Sequence, residues 1–260
     1  MSVLEPVLEA GVGFVAGVLS GAFGVGGGIV TTPAIRLLLG YPELIAVGTP
    51  LLVIIPTAVA GATSYFHRGL VNLRAGLVIG CAGIPGTLLG ATGSAQAGGR
   101  VVLLLTAVII FLIALDSVRG IFWSTEDRGT APSSGFRFGD RGLVLLGLGA
   151  GVFSGFFGIG GGFIIVPALM RLFGFPIKTA VGTSLVVVGL LAVPGSAIHF
   201  YFGHVDLMLA AALAVGVVPG AILGARLTAI ASDRAVRIGF AVLLSVTAFW
   251  LAIHELATLS

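Results

Sequence analysis

Two glycine-rich motifs, at residues 17–28 and 151–162, have the clearest capacity for chemistry in this sequence. Both contain Ser-Gly-x-Phe-Gly-x-Gly-Gly-Gly and continue to a proline. Such a turn exposes free backbone N–H groups at the start of the next helix, where the helix dipole also favours an anion. We therefore expect a small anion to bind at Gly24, Gly26, Gly27 and Gly28, and at Gly158, Gly160, Gly161 and Gly162. Tight helix packing around a turn is the plainer interpretation of these glycines.

Hydroxyl side chains stand near both motifs. Ser20 and Ser154 lie within them, and Thr49 and Thr183 follow at matching positions in two Val-Gly-Thr sequences. Ser184 comes directly after Thr183. Neutral hydroxyl donors can coordinate an oxyanion without trapping it, so we count all five as candidate substrate-binding residues. The alternative is that they bond to their own helix backbone or join neighbouring helices.

A duplication puts the two motifs in equivalent positions. Residues 13–91 align without a gap to residues 147–225, 134 positions later, and 34 of the 79 aligned pairs are identical. Both copies are very apolar and are interrupted by Gly and Pro. A duplicated, interrupted hydrophobic unit is typical of secondary transporters, which bind substrate where the interrupted segments of the two halves meet.

The composition indicates an integral membrane protein. Hydrophobic residues make up 57% of the chain and charged residues only 9%, with a mean hydropathy of +1.18. The thirteen Lys and Arg are scattered in short loops, which argues against nucleic-acid binding. A single cysteine, Cys81, excludes an internal disulfide and a cysteine-based metal cluster, and we expect it to pack in the core. No cleavable signal peptide is evident.

Apolar segments divide the chain into two membrane repeats, residues 1–122 and 142–260, joined by a polar linker at 123–141. Each repeat has one near-spanning segment, one short segment and three long ones, which predicts an all-α polytopic membrane protein. The first repeat contains Val7–Phe23, Ile29–Leu39, Leu44–Phe66, Leu70–Gly90 and Val101–Phe122. The second contains Gly142–Phe157, Phe163–Phe173, Thr179–Phe202, Val205–Ala225 and Ala235–Leu256.

The short second segment of each repeat decides the topology. Eleven helical residues reach roughly 17 Å, whereas the hydrocarbon core is about 30 Å thick. The first two segments must therefore form one broken helix, a re-entrant hairpin or two tilted spans. The broken helix divides the positive charges six against seven, but the other two arrangements place all except Arg36 and Arg100 on one side. The positive-inside rule favours these two, which give each repeat an odd number of crossings.

An odd number of crossings turns the second repeat upside down relative to the first. The sequence thus predicts two inverted-topology repeats of about five segments each, in which segments 2 and 7 are short and interrupted by Gly and Pro. Both termini are predicted to lie outside the cell membrane, and the linker in the cytoplasm.

Few ionisable residues fall within the apolar segments, and each is a candidate for function. Arg36 ends the first short segment and could draw anions into the site. His199 aligns with Tyr65, and a packed histidine is the alternative to a functional one. We see no deep carboxylate to carry protons. Moving one negative charge out of the cell releases about 2.3 kcal/mol per 100 mV, so export needs no coupled ion.

The paired Gly-x-x-Ser-Gly-x-x-Gly-x-Gly-Gly-Gly motifs, each followed by Pro and then by Val-Gly-Thr, resemble the TauE/SafE family of sulfite exporters. The resemblance covers nearly the whole chain outside the linker. It implies a membrane permease, not an enzyme, that exports sulfite or a related sulfonate, organosulfur or organic anion across the inner membrane. The expected partners are a small anionic substrate and the lipid bilayer, with a homodimer left open and no cofactor or metal.

Three rival functions fit parts of the same pattern. An intramembrane serine protease needs one base for its nucleophile, whereas Ser20 and Ser154 are duplicated and His199 is not. A cation or metal permease is a second alternative, although it calls for clustered His, Asp or Glu within the spans and these are missing. An anion channel without alternating access shares every feature of the permease, so it remains an alternative.

Overall fold

The computed structural model describes residues 4–123 and 139–257, and these fold into ten α-helices without a strand. In the first repeat the helices are α1 (Leu4–Phe23), α2 (Gly28–Leu37), α3 (Glu43–Phe66), α4 (Leu73–Ala97) and α5 (Gly99–Trp123). The second repeat has α6 (Gly139–Phe157), α7 (Gly162–Phe173), α8 (Ile177–Tyr201), α9 (Leu207–Ile230) and α10 (Asp233–Ala257). The predicted all-α class is confirmed. Residues 124–138, most of the predicted linker, lie outside the described residues.

Six helices in the described part of the chain are long and apolar enough to cross a membrane: α1, α3, α4, α6, α8 and α9. The protein is therefore a multi-pass membrane protein. Helices α2 and α7 contain 10 and 12 residues, which is too short for a 30 Å hydrocarbon core. Helices α5 and α10 have 25 residues each, and their crossing remains a prediction.

Helices α4 and α9 begin later than the apolar segments that predicted them. The side chain of Asn72 accepts a hydrogen bond from Ala75 N at 3.0 Å, and Asp206 accepts one from Leu209 N at 2.9 Å. These side chains cap the helices at positions that hydropathy alone does not mark. Both helices also extend past the predicted ends, because small and polar residues continue the helix beyond the apolar run.

Equivalent helices of the two repeats make equivalent contacts. Helix α1 packs along α9, and α6 packs along α4, at distances that only glycine allows. A Cβ added to Gly17 would lie 2.9 Å from the Cα of Val217, and one added to Gly151 would lie 2.9 Å from the Cα of Gly83. The repeated glycines therefore bring the helices of opposite repeats together.

Helices α3 and α8 are equivalent to each other, and they cross antiparallel at the centre of the molecule. A Cβ on Gly61 would lie 2.8 Å from a methyl of Leu185, and one on Gly195 would lie 3.3 Å from a methyl of Leu51. Because Gly61 and Gly195 are equivalent, as are Leu51 and Leu185, the contact is reciprocal. Exchange of the two repeats thus leaves the central crossing unchanged.

The chain turns back after α1. The Tyr41 hydroxyl, just beyond α2, donates a hydrogen bond to Glu9 Oε1 at 3.2 Å, and Glu9 lies in the second turn of α1. Helix α2 therefore returns to the end of the molecule where α1 begins. A single broken helix would carry Tyr41 to the opposite end, so the geometry fits the hairpin or the tilted pair.

The expectation that Cys81 packs in the core is wrong. Cys81 is exposed on the surface of α4. The outward faces of these helices are apolar as well, with Leu77 and Leu89 of the same helix 48% and 70% exposed. In a membrane protein, lipid-facing and core-facing positions are both apolar, so an apolar neighbourhood does not predict burial.

Candidate anion-binding site

The glycine turns of the two repeats meet in the interior. Every residue of 24–28 and 158–162 is buried. A Cβ on Gly28 would lie 2.6 Å from the Cα of Ile159, and a Cβ on Gly162 would lie 2.8 Å from the Cα of Val25. The first glycine of each short helix therefore rests directly on the backbone of the opposite turn. The structure brings together the two motifs that the sequence analysis singled out.

The glycines of each motif have different conformational roles. In the first turn Gly24, Gly26 and Gly27 have φ between 71° and 89°, a region that side chains disfavour. Gly158, Gly160 and Gly161 repeat this pattern, with φ between 67° and 86°. Gly28 and Gly162 have ordinary helical backbone and are needed for close approach alone.

Each turn leaves backbone donors unpaired. The carbonyl of Gly27 accepts from Val30 N and Thr31 N, and the carbonyl of Gly161 accepts from Ile164 N and Ile165 N. Within the described residues, no hydrogen bond takes up the N–H groups of 26–29 or of 160–163. Buried backbone donors are almost always paired, so two clusters of free N–H groups at helix N-termini suit an anionic ligand.

A buried hydroxyl accompanies each cluster. Ser20 and Ser154 are completely buried, and their hydroxyl oxygens have no hydrogen-bond partner among the described residues. A Cβ on Gly27 would lie 3.8 Å from Ser20 Oγ, and one on Gly161 would lie 3.5 Å from Ser154 Cβ. An unpaired buried hydroxyl costs free energy unless a ligand or water satisfies it. Both repeats therefore offer neutral donors at matching places.

An apolar cluster separates the two sets of donors. Ile54 of α3 and Val188 of α8 are equivalent residues, and both are buried against the two turns. A Cβ on Gly160 would lie 2.8 Å from Val188 Cγ1 and 2.9 Å from Ile54 Cδ1, and Gly26 contacts the same two side chains. Together with Val25 and Ile159, these residues fill the space between the turns. We refer to these four as the central barrier.

The two candidate threonines connect the repeats to each other. Thr49 Oγ1 accepts a hydrogen bond from Asp206 N at 3.0 Å, and Thr183 Oγ1 accepts one from Asn72 N at 3.0 Å. Both threonines are fully buried, in the second helical turns of α3 and α8. Each hydroxyl thus accepts a hydrogen bond from the N-cap residue of a helix in the opposite repeat. It still has its own proton to donate. These contacts lie beside the turns rather than within them.

Ser184 supports the first turn from the opposite repeat. Its hydroxyl lies 2.8 Å from both the carbonyl oxygen of Gly24 and that of Val181, and it can donate to one of them at a time. The equivalent residue in the first repeat is Pro50, which has no hydroxyl. The second turn is instead held by the backbone of Val47, which contacts Gly158.

His199 is placed beside Ser154, at the end of α6. Its Nε2 lies 3.2 Å from the carbonyl oxygen of Gly155. The ring is fully buried and its centroid is 5.6 Å from that of His204. Burial lowers the pKa of His204, which lies in the loop after α8, so this neighbour is uncharged at neutral pH. His199 is therefore a packed residue that also borders the candidate site.

Arg36 is not part of the cluster at the turns. It lies eight residues into α2, roughly 12 Å along the helix from Gly28. Its guanidinium pairs with Glu43 at 2.6 Å and donates to the carbonyl oxygen of Tyr41 at 3.3 Å. Glu43 neutralises the charge of Arg36. The contacts of Arg36 therefore join the end of α2 to the start of α3 and involve no residue of the turns.

Glu9 is a buried carboxyl group that the sequence analysis did not single out. Only 5% of the residue is exposed, and its hydrogen-bond partner is the Tyr41 hydroxyl. Burial, followed by the effect of Glu9, raises the pKa of Tyr41, so this hydroxyl stays a neutral donor. Glu9 lies near the start of α1; the expected return of the chain after α1 did not indicate that Tyr41 would contact it.

Comparison with known proteins places the chain in a family of transporters. The family model described as sulfite exporter TauE/SafE matches residues 9–251. The chain belongs to the TauE/SafE family. The probable membrane transporter protein YunE of Bacillus subtilis is 32% identical over 236 residues, covering 84% of this chain and 85% of that protein. YdhB of the same organism, also named a probable membrane transporter protein, is 32% identical over 215 residues, covering 83% and 87%.

The similarity extends to an archaeon. The probable membrane transporter protein MJ0441 of Methanocaldococcus jannaschii is 27% identical over 255 residues, covering 90% of this chain and 91% of that protein. No solved structure matches the chain. These comparisons and the six membrane-capable helices establish a TauE/SafE membrane transporter.

Proposed function

We propose that this TauE/SafE protein exports a small anion, either sulfite or a related sulfonate, organosulfur or organic anion. The observation that carries the proposal is the pairing of free N–H groups with a buried, unpaired hydroxyl at each glycine turn. These donors favour negative charge without supplying a fixed positive charge that would retain the substrate. The description of the matching family as a sulfite exporter supports the same substrate class.

In this proposal the two turns belong to one permeation path. Residues of 24–28 and 158–162 approach from opposite repeats, and the central barrier closes the space between them. The antiparallel crossing of α3 and α8 supports an inverted arrangement of the repeats, as in other transporters built from repeats. Movement of one turn away from the other would open the donors of one repeat to one side of the membrane at a time.

The membrane potential drives export in this scheme. An anion that leaves a cell with a negative interior releases about 2.3 kcal/mol per 100 mV for each charge. The hydroxyl and N–H donors at the turns do not titrate near neutral pH. No proton is therefore required to release the substrate, and the inner membrane supplies the potential.

Counterflow in liposomes tests the proposal. Purified protein is reconstituted with a high internal concentration of sulfite, and uptake of external radiolabelled sulfite, sulfate or taurine is followed. We expect transient accumulation of labelled sulfite that disappears in the double variant Ser20→Ala/Ser154→Ala. If none of the three labelled compounds accumulates, anion exchange is excluded. Conductive sulfite flux without counterflow would instead favour the channel.

A further inference from the structure

A groove runs between α3 and α9 on the outside of the molecule, and it involves no residue of the glycine turns. One part is a cavity of about 360 Å³ between Leu52 and Pro56 of α3 and Leu207 and Ala214 of α9. A larger cavity of about 610 Å³ shares Ile55 and Pro56 with the first and continues toward the ends of both helices. We call the two cavities together the α3/α9 groove.

The groove is long and apolar because of the residues along it. Helix α9 contributes the small side chains of Ala210, Ala211 and Ala214, which leave space beside α3. Along α9 the apolar lining runs from Leu207 to Ile222, which is fifteen helical steps, roughly 22 Å. This exceeds the roughly 15 Å that one leaflet contributes to the hydrocarbon core. An acyl chain therefore fits along it.

One end of the groove is polar and carries an unneutralised cation. Thr63, Ser64, His67 and Arg226 line this end. The two hydroxyls donate to the carbonyls of their own helix, at 2.6 and 2.9 Å. Arg226 is exposed and has no ion pair or hydrogen bond within residues 4–123 and 139–257. Its guanidinium is thus free for a ligand that brings negative charge.

The polar end occurs only once in the duplicated sequence. The residues equivalent to His67 and Arg226 are Tyr201 and Thr92, so the matching groove between α8 and α4 lacks the arginine. Ala197 and Ile198 likewise replace Thr63 and Ser64. The repeated fold does not require a cation at this position. The positive-inside rule favours an arginine on this predicted side, but it does not require one that lines the groove.

We propose that the α3/α9 groove binds one anionic phospholipid, with its phosphate at Arg226 and His67 and an acyl chain along the apolar part. Arg226 lies on the side where the predicted topology places eleven of the thirteen Lys and Arg, the cytoplasmic side. Anionic lipids are found in the cytoplasmic leaflet, and basic pockets between helices on that side bind their headgroups. A soluble anion would match the arginine but would leave 22 Å of apolar wall unexplained.

Fluorescence quenching by brominated lipids tests this site. In a Trp123→Phe/Trp250→Phe background, Ile222→Trp places a single tryptophan in the groove, and Leu88→Trp places one at the equivalent position of α4. Both proteins are reconstituted with brominated phosphatidylglycerol or brominated phosphatidylcholine. We expect the groove tryptophan to bind phosphatidylglycerol roughly five-fold more tightly than phosphatidylcholine, the ratio that one arginine contributes near an anionic surface.

The controls separate a lipid from other occupants. The five-fold preference should be lost in Arg226→Gln. It should be kept in Arg234→Gln, which removes another exposed arginine of the same predicted side. The tryptophan on α4 should show no preference. A preference that survives Arg226→Gln contradicts the site. So does inorganic phosphate that abolishes the preference at millimolar concentration, because it points to a free-anion site. If neither brominated lipid quenches the groove tryptophan, protein such as a second copy of this chain covers the groove. That outcome also contradicts the lipid site.

Discussion

The Tyr65 hydroxyl donates a hydrogen bond to the carbonyl oxygen of Gly21 at 2.9 Å, and its equivalent residue His199 makes the matching contact with Gly155 at 3.2 Å. Both carbonyls lie in the last turn of a helix, where the chain has no N–H to offer. Because a carbonyl only accepts, the proton of His199 is on Nε2 in this contact. A tyrosine and a histidine thus cap α1 and α6 in the same way. The two residues differ in type, so a comparison of the repeat sequences does not show this equivalence.

This shared role predicts that His199 contributes more to stability than to proton coupling. Tyr65→Phe and His199→Leu each leave a buried carbonyl without a partner, which should lower the free energy of unfolding by about 1–3 kcal/mol. His199→Gln keeps an N–H donor and should lose much less. Thermal unfolding of the detergent-solubilised variants measures the difference. A loss of stability in His199→Gln as large as in His199→Leu would contradict the capping role, and a stable His199→Gln protein without transport would show that the histidine acts in transport.

Removal of the unpaired hydroxyls should weaken substrate binding without weakening the fold. Ser20→Ala or Ser154→Ala removes one donor to a charged ligand, worth about 1.5–3 kcal/mol, or roughly ten- to a hundred-fold in sulfite affinity. Neither hydroxyl has a partner in the described structure, so the unfolding temperature should not fall. Isothermal titration with sulfite and thermal unfolding test both parts.

The matched control is Ser196→Ala. Ser196 is also a buried serine, but its hydroxyl donates to the carbonyl of Val193 in its own helix at 3.0 Å. Its loss should leave sulfite affinity unchanged. If Ser20→Ala and Ser154→Ala bind sulfite as the parent protein does, the anion lies elsewhere.

The sequence predicted those parts of the protein that repeat and have a periodic or compositional signal. The ten segments, the all-α class and the paired turns were visible because glycine and apolar residues recur at fixed positions. The contacts of Thr49 were not visible, since its partner Asp206 lies 157 residues away and only the tertiary fold joins them. The exposure of Cys81 was mispredicted for a different reason, because lipid and core select the same residue types.

The interlocked turns predict an asymmetry between two glycine substitutions. Gly28→Ala would place a Cβ 2.6 Å from the backbone of Ile159, so the turns must separate, which should cost about 1–3 kcal/mol and abolish sulfite counterflow. Gly11→Ala, in open space on α1, should fold and transport normally. Counterflow and thermal unfolding of the two variants, measured side by side, check the prediction. Normal transport by Gly28→Ala would show that the contact of the turns is dispensable.

The predicted topology can be tested with single cysteines. In a Cys81→Ser background, Ser2→Cys and Ser133→Cys place thiols in the N-terminal segment and in the linker, both outside the described residues. In intact cells an impermeant thiol reagent should label Ser2→Cys, whereas Ser133→Cys should react only after the membrane is opened. Labelling of both from the same side contradicts an odd number of crossings in each repeat.

The central barrier predicts leakage when it is made smaller. Ile54→Ala and Val188→Ala each remove methyl groups that fill the space between the turns, so the double variant should pass sulfite down its gradient faster than the parent protein. Val59→Ala, at an exposed position of α3, is the control and should not leak. Sulfite efflux from preloaded liposomes measures the difference. If the double variant folds and its sulfite efflux is no faster than that of the parent protein, the permeation path lies away from these two side chains.

The last prediction separates potential-driven export from proton coupling, and the buried Glu9 makes the test necessary. With the same pH on both sides, a potassium gradient with valinomycin should drive sulfite out of liposomes toward the positive side, and the direction should reverse with the sign of the potential. Glu9→Gln keeps an acceptor for the Tyr41 hydroxyl but cannot bind and release a proton, so it should transport like the parent protein. Efflux that requires a pH gradient and is lost in Glu9→Gln would make Glu9 a proton carrier. The same loss in His199→Gln would assign that role to the histidine, because each variant preserves the hydrogen bond and removes only the titration.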